Sequence, residues 1–467
     1  MCYIIKEKIL QTTQGVSRME INMIKKITTF ACCLLLCTLL FLFVSEYLHK
    51  PDSSALETPS ETTTAKTKST KDAFSELKPF LSDNKKVTYD FLMWIKENMN
   101  DNIFDDLESY FCMSHNSNDF WYDYTGMSFN VLYDFYKGVI DKDTATFSNG
   151  KEEISLGFAG DLCLSEGFDT CNFLEEHNND LSQGIANGLI NVTNNFDIFM
   201  LNNEFTYSNR GEALEGKYYT FRAKPERIEI IKELGTDIVS LSNNHVYDFG
   251  PDAFFDTLDT LKKADIPYVG AGADIEEAKK PQFFYINGIK IGFVAANRSE
   301  KYIFTPEATK DSPGVLRTYD STEYLKVIKK AKKECDYLVA YVHWGTEDSN
   351  VVADYQKEMG REYIDAGADA IVGGHPHTLQ GVEYYKGHPI AYSLGDFWFN
   401  NLTDETGVLD ITIDSSGFKR MSFVTCFRTG GVTSLVKDKK ERRRILDYLL
   451  SISFGVDIKD DGEIVVQ

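Results

Sequence analysis

From Ile154 onward the chain repeats one pattern: a short apolar run, a residue able to bind a cation, then a helical stretch. Ile154 to Ala159 is followed by Gly160-Asp161, Ile198 to Leu201 by Asn202-Asn203-Glu204, and Ile238 to Leu241 by Ser242-Asn243-Asn244-His245. Tyr337 to Val342 leads into His343-Trp344-Gly345, and Ala370 to Val372 into Gly373-Gly374-His375-Pro376-His377. Apolar runs of strand length between helical segments predict an α/β domain. In open α/β sheets the carboxyl ends of the strands meet at one crevice, so these polar residues are predicted to converge although they are far apart in sequence.

The intervals read as helices and hairpins. Pro251 opens a stretch in which Phe254, Leu258 and Leu261 share a face, and Thr322 to Cys335 and Tyr355 to Ala366 follow suit. Asn287-Gly288 and Lys386-Gly387 sit between strand-like runs as hairpin turns. After Phe399, the runs VLDITI and MSFVTCF and the basic helix Lys437 to Ser451 are expected to finish the sheet.

Taken singly, each polar residue has a dull explanation. Asp161 suits a turn, Glu204 a solvated loop and Asn244 a tight turn. Histidine is scarce, at 8 of 467 residues, and imidazole is the commonest metal ligand. Carboxylates, an amide oxygen and imidazoles without a thiolate cluster suit two divalent cations of the Mn, Fe or Zn kind. Glu204 is expected to bridge them, Asp161 and His377 to complete one site, and Asn244, His343 and His375 the other. A cation pair of this type clamps an anionic ester and activates water. His245, next to a ligand, is then left to protonate a leaving group or hold the transferring oxyanion.

The rest of the chain divides by texture. Ile27 to Val44 is an uncharged apolar run long enough to cross a membrane, preceded by Lys6, Lys8, Arg18, Lys25 and Lys26 against Glu7 and Glu20. The expected order is a cytoplasmic segment (1–26), a transmembrane anchor (27–45), a flexible Ser/Thr/Pro linker (46–71), a helical aromatic-rich region (72–150) and the main domain (151–467) outside the cell. A cleaved signal peptide is the rival, but SEYLHK after the run offers no small-residue cleavage site. The region 72–150 is read as a cap on the main domain in preference to a separate binding module.

Net charge of −22 disfavours nucleic acid and anionic lipid as partners, so an anionic substrate must be drawn in locally by metal or arginine. Arg222 in FRAKP offers a fork for a carboxylate or phosphate, or an ordinary ion pair. Nine cysteines, four of them in or before the apolar run, make no disulfide framework. Cys163 and Cys171 remain open as either a bridge or two thiols. Asp248 is read as a support for His245 or as a helix cap, and Asp396 as a turn residue at a strand end in preference to an added site carboxylate.

The stretches GFAGDLCL, LNNEFTYSNRG, FRAKPE, LSNNHVYDFG, YVGAG, AYVHWGTE and AGADAIVGGHPHTLQGVEYYKGHPIAYSLGDFWF together resemble the CapA family of bacterial capsule synthesis proteins, associated with poly-γ-glutamate production, over Glu153 to Phe399. That resemblance implies a metallo-dependent phosphatase-like fold, two stacked mixed β-sheets flanked by helices, and a metal-dependent hydrolase or transferase in envelope polymer assembly. A non-catalytic accessory subunit is the alternative. The resemblance also implies an anionic polymer and other capsule-synthesis subunits as partners, while the expected membrane location comes from the apolar run Ile27 to Val44. This chain departs from the pattern at Cys163, where His is usual, at Gly374, where His is common, at Asp396, where Asn is common, and at Asn203, where Leu is favoured.

Overall fold

The computed structural model describes residues 151–299 and 304–467. The expectations for 1–26, 27–45, 46–71 and 72–150 lie outside the described residues. Among the described residues no helix is long and apolar enough to cross a membrane.

Two mixed sheets carry the domain. The larger, of ten strands, is centred on β1 (Ile154–Leu162), with parallel β2 (Ile198–Asn203) and then β3 (Ile238–Ser240) on one side. The smaller, of six strands, holds β4 (Ile289–Asn297), β5 (Tyr337–His343) and β6 (Ala370–Gly374), all parallel. Short β7 (Asp396–Trp398) pairs in parallel with the end of β1. The long antiparallel hairpin β8 (Asp404–Asp414) and β9 (Gly417–Thr429) then extends the first sheet, as the apolar runs after Phe399 predict. Both predicted turns form, with positive φ at Asn287, Gly288, Lys386 and Gly387, the conformation that a two-residue hairpin of this twist requires.

Alternation along the strands explains the layering. Leu156 and Phe158 of β1 and Met200 of β2 face Phe293, Val339, Tyr341 and Val372 of the second sheet, forming the core between sheets. The opposite face of the first sheet, with Phe199, Leu201 and Val239, packs on α1 (Gly250–Lys263) through Phe254, Leu258 and Leu261, the three residues whose spacing predicts an apolar face. Val294, Ala340 and Val342 cover the outer face of the second sheet beneath α2 (Thr322–Lys332) and α3 (Asp354–Asp365). The basic helix α4 (Lys439–Ser451) lies on the inter-sheet core through Ile445, Leu446 and Leu449.

The predicted strands are slightly too short. β1 runs on to Leu162, β5 to His343 and β6 to Gly374, so Asp161 and His343 are ladder residues and not loop residues. The cause is pairing: Asp161 aligns with both Asn202 and Asp396, and His343 with Asn297 and Gly374. Polar side chains end a hydrophobic pattern without ending a ladder. Cys163 and Cys171 are separate buried thiols, with the Cys171 Sγ donating to the Leu164 carbonyl at 2.8 Å.

Candidate metal centre

The inward-facing alternation of β2 and β5 that buries Met200 and Tyr341 brings Asn202 and His343 to the same mouth between the sheets. Asp161, Glu204 and His343 are all fully buried there. One oxygen of Asp161 accepts from the Asn202 amide at 2.8 Å and the other from the His375 backbone N–H at 3.1 Å. The same Asn202 nitrogen donates to Glu204 Oε2 at 3.0 Å, so one amide spans two carboxylates. Asn243 supports it in turn, donating to Asn202 Oδ1 at 3.0 Å.

The donors fall into two groups that share Glu204. Glu204, His343 and His375 offer ligand atoms within 4.8 Å of one another, as do Asp161, Glu204 and His377. Asn244 joins the first group, with its Oδ1 2.8 Å from His343 Nε2, and that nitrogen lies 3.4 Å from Glu204 Oε1. The structure thus brings Asp161 and His377 together on one side of Glu204, and Asn244, His343 and His375 on the other. His245 stands behind, its Nε2 4.0 Å from Glu204 Oε1.

Two buried atoms test whether a cation fits. Among the described residues Glu204 Oε1 and His375 Nδ1 have no hydrogen-bond partner, which is costly for a buried carboxylate and a buried imidazole. Both belong to the same donor group, and a divalent cation would satisfy both. Electrostatics agree. Burial, then the neighbouring Glu204, pushes the Asp161 carboxyl up to about 7. Burial likewise raises Glu204 to about 7. Burial and the adjacent His343 and His377 hold His375 well below the usual histidine range, in the neutral form that binds metal. His377 goes the other way: burial opposes its charge, but the carboxylates of Asp396, Glu204 and Asp161 raise it well above the ordinary value.

The loop carrying the two histidines is strained. His375 has φ 98° and His377 φ 56°, left-handed conformations that non-glycine residues adopt rarely and that cluster at functional sites. Gly374 before them is sterically required, since a Cβ there would lie 2.2 Å from the Tyr341 hydroxyl and 2.7 Å from Asp161 Oδ1. A histidine at 374 does not fit this arrangement.

The neighbours Asp396 and Arg222 have roles other than those expected, and Asp248 takes one of the two expected for it, the support of His245. Asp396 is not a turn residue: its Oδ1 lies 2.8 Å from His377 Nδ1, and its Oδ2 pairs with Arg428 at 3.1 Å, with both Asp396 and Arg428 buried. A ladder position opposite Asp161 is what aims it there. Asp248 does not cap α1, whose start has no side-chain cap; it holds His245 Nδ1 at 2.7 Å, accepts from the Phe221 amide at 2.8 Å and pairs with buried Lys217 at 2.7 Å. Arg222 does not present a fork. Its Nη1 donates to the carbonyls of Arg210 and Gly211 at 2.9 Å each, and its guanidinium stacks 4.1 Å from the Phe249 ring centroid. Burial pushes the Cys163 thiol well above its usual range, and the residue packs in the apolar core with Leu162 and Leu164, outside both donor groups.

Asn202, Lys217 and Asp396 have contacts that sequence reasoning missed. A polar residue inside an apolar run is the only signal Asn202 offers, and Lys217 lies in a polar loop with none.

Known proteins align with the same part of the chain. A capsule biosynthesis protein CapA of Bacillus anthracis is 37% identical over 182 residues, covering 38% of this chain and 44% of that protein. A PGA biosynthesis protein CapA of Bacillus subtilis is 34% identical over 210 residues, covering 45% and 53%. The chain thus spans about half the length of the curated relatives it matches. A phosphatase structure from Mycoplasma pneumoniae overlays 59% of this chain and 94% of its own at 13% identity with a TM-score of 0.38, a loose overlay from which no chemistry follows. Residues 155–401, more than half of the chain, match the family described as bacterial capsule synthesis protein PGA_cap, and the chain belongs to that family.

Proposed function

We propose that the protein is a membrane-anchored, extracytoplasmic, metal-dependent hydrolase or transferase that acts on a phosphoester or on the end of a glutamate polymer during capsule assembly. The carrying observation is the pair of donor groups sharing Glu204, with Glu204 Oε1 and His375 Nδ1 buried and unsatisfied. Asp161 and His377 would hold one cation, and Asn244, His343 and His375 the other, with Glu204 common to both. Divalent cations, when bound, supply Lewis-acid polarisation of a substrate oxygen and lower the pKa of water.

The chain's own residues account for the rest. Asp248, held by Lys217, fixes the His245 ring with Nδ1 toward the carboxylate, leaving Nε2 to hand a proton to a leaving oxygen or to stabilise negative charge there. Phe221, with its ring centroid 4.4 Å from that of His245, shields the dyad from water on one side. Relatives named for capsule and PGA biosynthesis support a glutamate polymer as the context. Outward orientation rests on the basic residues before Ile27.

A second reading, an accessory subunit that keeps the fold without turnover, is favoured by the Asp161 group. It has three donors where its neighbour has four, and Cys163 lies beside it as a neutral buried thiol. Metal analysis of the full chain together with turnover of an aryl phosphate separates the two. Bound metal and turnover, both lost in His375→Ala, support the enzyme; bound metal with no turnover of phosphoester or polymer supports the accessory role.

A further inference from the structure

With Arg222 committed to main-chain carbonyls, the crevice needs another group to attract an anion in a strongly acidic protein. Arg298 is placed to do so. β4 ends at Asn297, in register with His343, and the next two amides, of Arg298 and Ser299, both donate to the His343 carbonyl, at 2.8 and 3.1 Å. Strand alternation carries Arg298 to the side of Val294 and Ala296, opposite His343 and toward α3. There its guanidinium carbon lies 3.5 Å from the Tyr355 ring centroid and 4.6 Å from that of Tyr319. Tyr355 is itself pinned, its hydroxyl accepting from the Gly345 amide at 2.9 Å just past His343.

Two other partly or fully buried arginines pair with carboxylates, Arg227 with Glu166 and Arg428 with Asp396, while Arg222 and Arg317 donate to main-chain carbonyls. Arg298 pairs with no carboxylate among the described residues, and its Nε is buried without an acceptor. The chain has 71 acidic residues against 49 basic ones, yet no acidic side chain among the described residues reaches the Arg298 guanidinium. Two ring faces hold such a group flat, offset its desolvation, and leave its edge for in-plane hydrogen bonds to an oxyanion. Of the two rings, Tyr319 is 43% exposed.

We propose that Arg298, framed by Tyr319 and Tyr355, is an oxyanion-binding site on the rim of the crevice that anchors a carboxylate of an extended polyanionic ligand. Arg298 and His343 leave adjacent strands on opposite faces of one sheet, so a single small anion does not bridge them and a chain does. That the far end of this ligand lies at the Glu204 centre rests on the function proposed above; the anchoring itself does not.

Calorimetric titration of the full chain, chelator-treated and metal-loaded, with a short γ-linked glutamate oligomer and with inorganic phosphate tests the site. Arg298→Met is expected to weaken the oligomer about tenfold in both metal states, as for one lost charge-assisted bidentate contact. Arg298→Lys, which keeps the charge but loses the fork and the stacking, should show a smaller loss and stands in if the Met variant does not fold. Phosphate binding to the metal-loaded protein and metal content should stay unchanged. Equal oligomer affinity in wild type and Arg298→Met overturns the proposal, as does a loss that follows metal content. Because the chelated arm needs no cation, failure of the metal reading leaves this result readable.

Discussion

Oε1 of Glu204 lies 3.4 Å from Nε2 of His343, with both side chains fully buried and that oxygen lacking any hydrogen bond. A buried carboxylate oxygen beside an imidazole nitrogen is a pair that a shared cation or a shared proton would satisfy. Added Mn, Fe or Zn is therefore expected to stabilise the protein by about 2.7 kcal/mol at a hundredfold excess over Kd. Replacing Glu204 with Ala should abolish both the bound metal and the stabilisation, since both donor groups use it. Thermal unfolding with and without chelator, alongside metal analysis, checks this. An unchanged midpoint with no metal retained by the wild type would remove the basis of the site.

The proton is the competitor of that cation. Metal-free, the Asp161 and Glu204 carboxyls both sit near 7 against ordinary values of 3.8 and 4.5, raised first by burial. The folded chain then binds more protons than the unfolded one between about pH 4.5 and 7. Their contribution to stability is complete below the unfolded values and is lost as pH rises through 7. His377 is shifted in the same sense, whereas His375, depressed, opposes it below the ordinary histidine range. Denaturant unfolding of the chelated protein should show stability falling on the order of 1 kcal/mol per pH unit from pH 6.5 to 7.5. Metal loading should release protons in the same window, measured by calorimetry in buffers of different ionisation enthalpy. A chelated protein that grows more stable with pH there contradicts the assignment.

If both donor groups take a cation, Asp396 makes the two positions unequal. His377 depends on Asp396, which is held by Arg428 and accepts from Asn400 at 3.2 Å, and Cys163 belongs to neither donor group. Metal titration is expected to resolve two steps, the weaker at Asp161 and His377. Asp396→Ala should weaken that step by about 10- to 100-fold and spare the other, the usual scale for removing a carboxylate behind a histidine ligand. Cys163→Ser should leave metal content as it is.

How far the sequence reveals this can be traced residue by residue. Strands whose two faces are both apolar, such as β1 and β5, stand out as runs, and Phe254, Leu258 and Leu261 reveal the face of α1 because period and burial coincide. The clustering of the candidate donors was legible because histidine is rare and strand ends converge. Asp396 was not, because a turn after Gly395 and a β-ladder rung opposite Asp161 look alike until the pairing exists. Arg222 and Arg298 look equivalent in sequence; only the fold gives one of them two carbonyls and the other two rings. Asn202 hides inside an apolar run.

The His245 dyad separates chemistry from cation binding. Nε2 of His245 faces Glu204 Oε1 across 4.0 Å, and its ring is set by Asp248. If the protein is catalytic, His245→Ala should lower turnover of an aryl phosphate by about 10² to 10⁴, the range for a general acid, with metal content unchanged. Asp248→Ala differs, because it removes the carboxylate beside buried Lys217 and the acceptor of the Phe221 amide. That variant should lose about 3 to 5 kcal/mol of stability by denaturant unfolding, the scale for breaking one side of a buried ion pair.

Gly374 gives the plainest steric test. Alanine there would set a Cβ 2.2 Å from the Tyr341 hydroxyl and 2.7 Å from Asp161 Oδ1, contacts that real Cβ atoms do not make. Tyr341 is buried among the inter-sheet core residues and Asp161 is held by Asn202 and the His375 amide, so neither can give way freely. Gly374→Ala is expected to cost about 1 to 3 kcal/mol, the usual range for overpacking, and to weaken metal binding with it. Gly374→Ala combined with Tyr341→Phe should recover stability by clearing the nearer contact, yet leave the Asp161 contact and therefore the metal defect. Unfolding midpoints and metal affinities of the two variants decide the matter: full recovery of both properties in the double variant would show that the 374 position touches the site only through Tyr341.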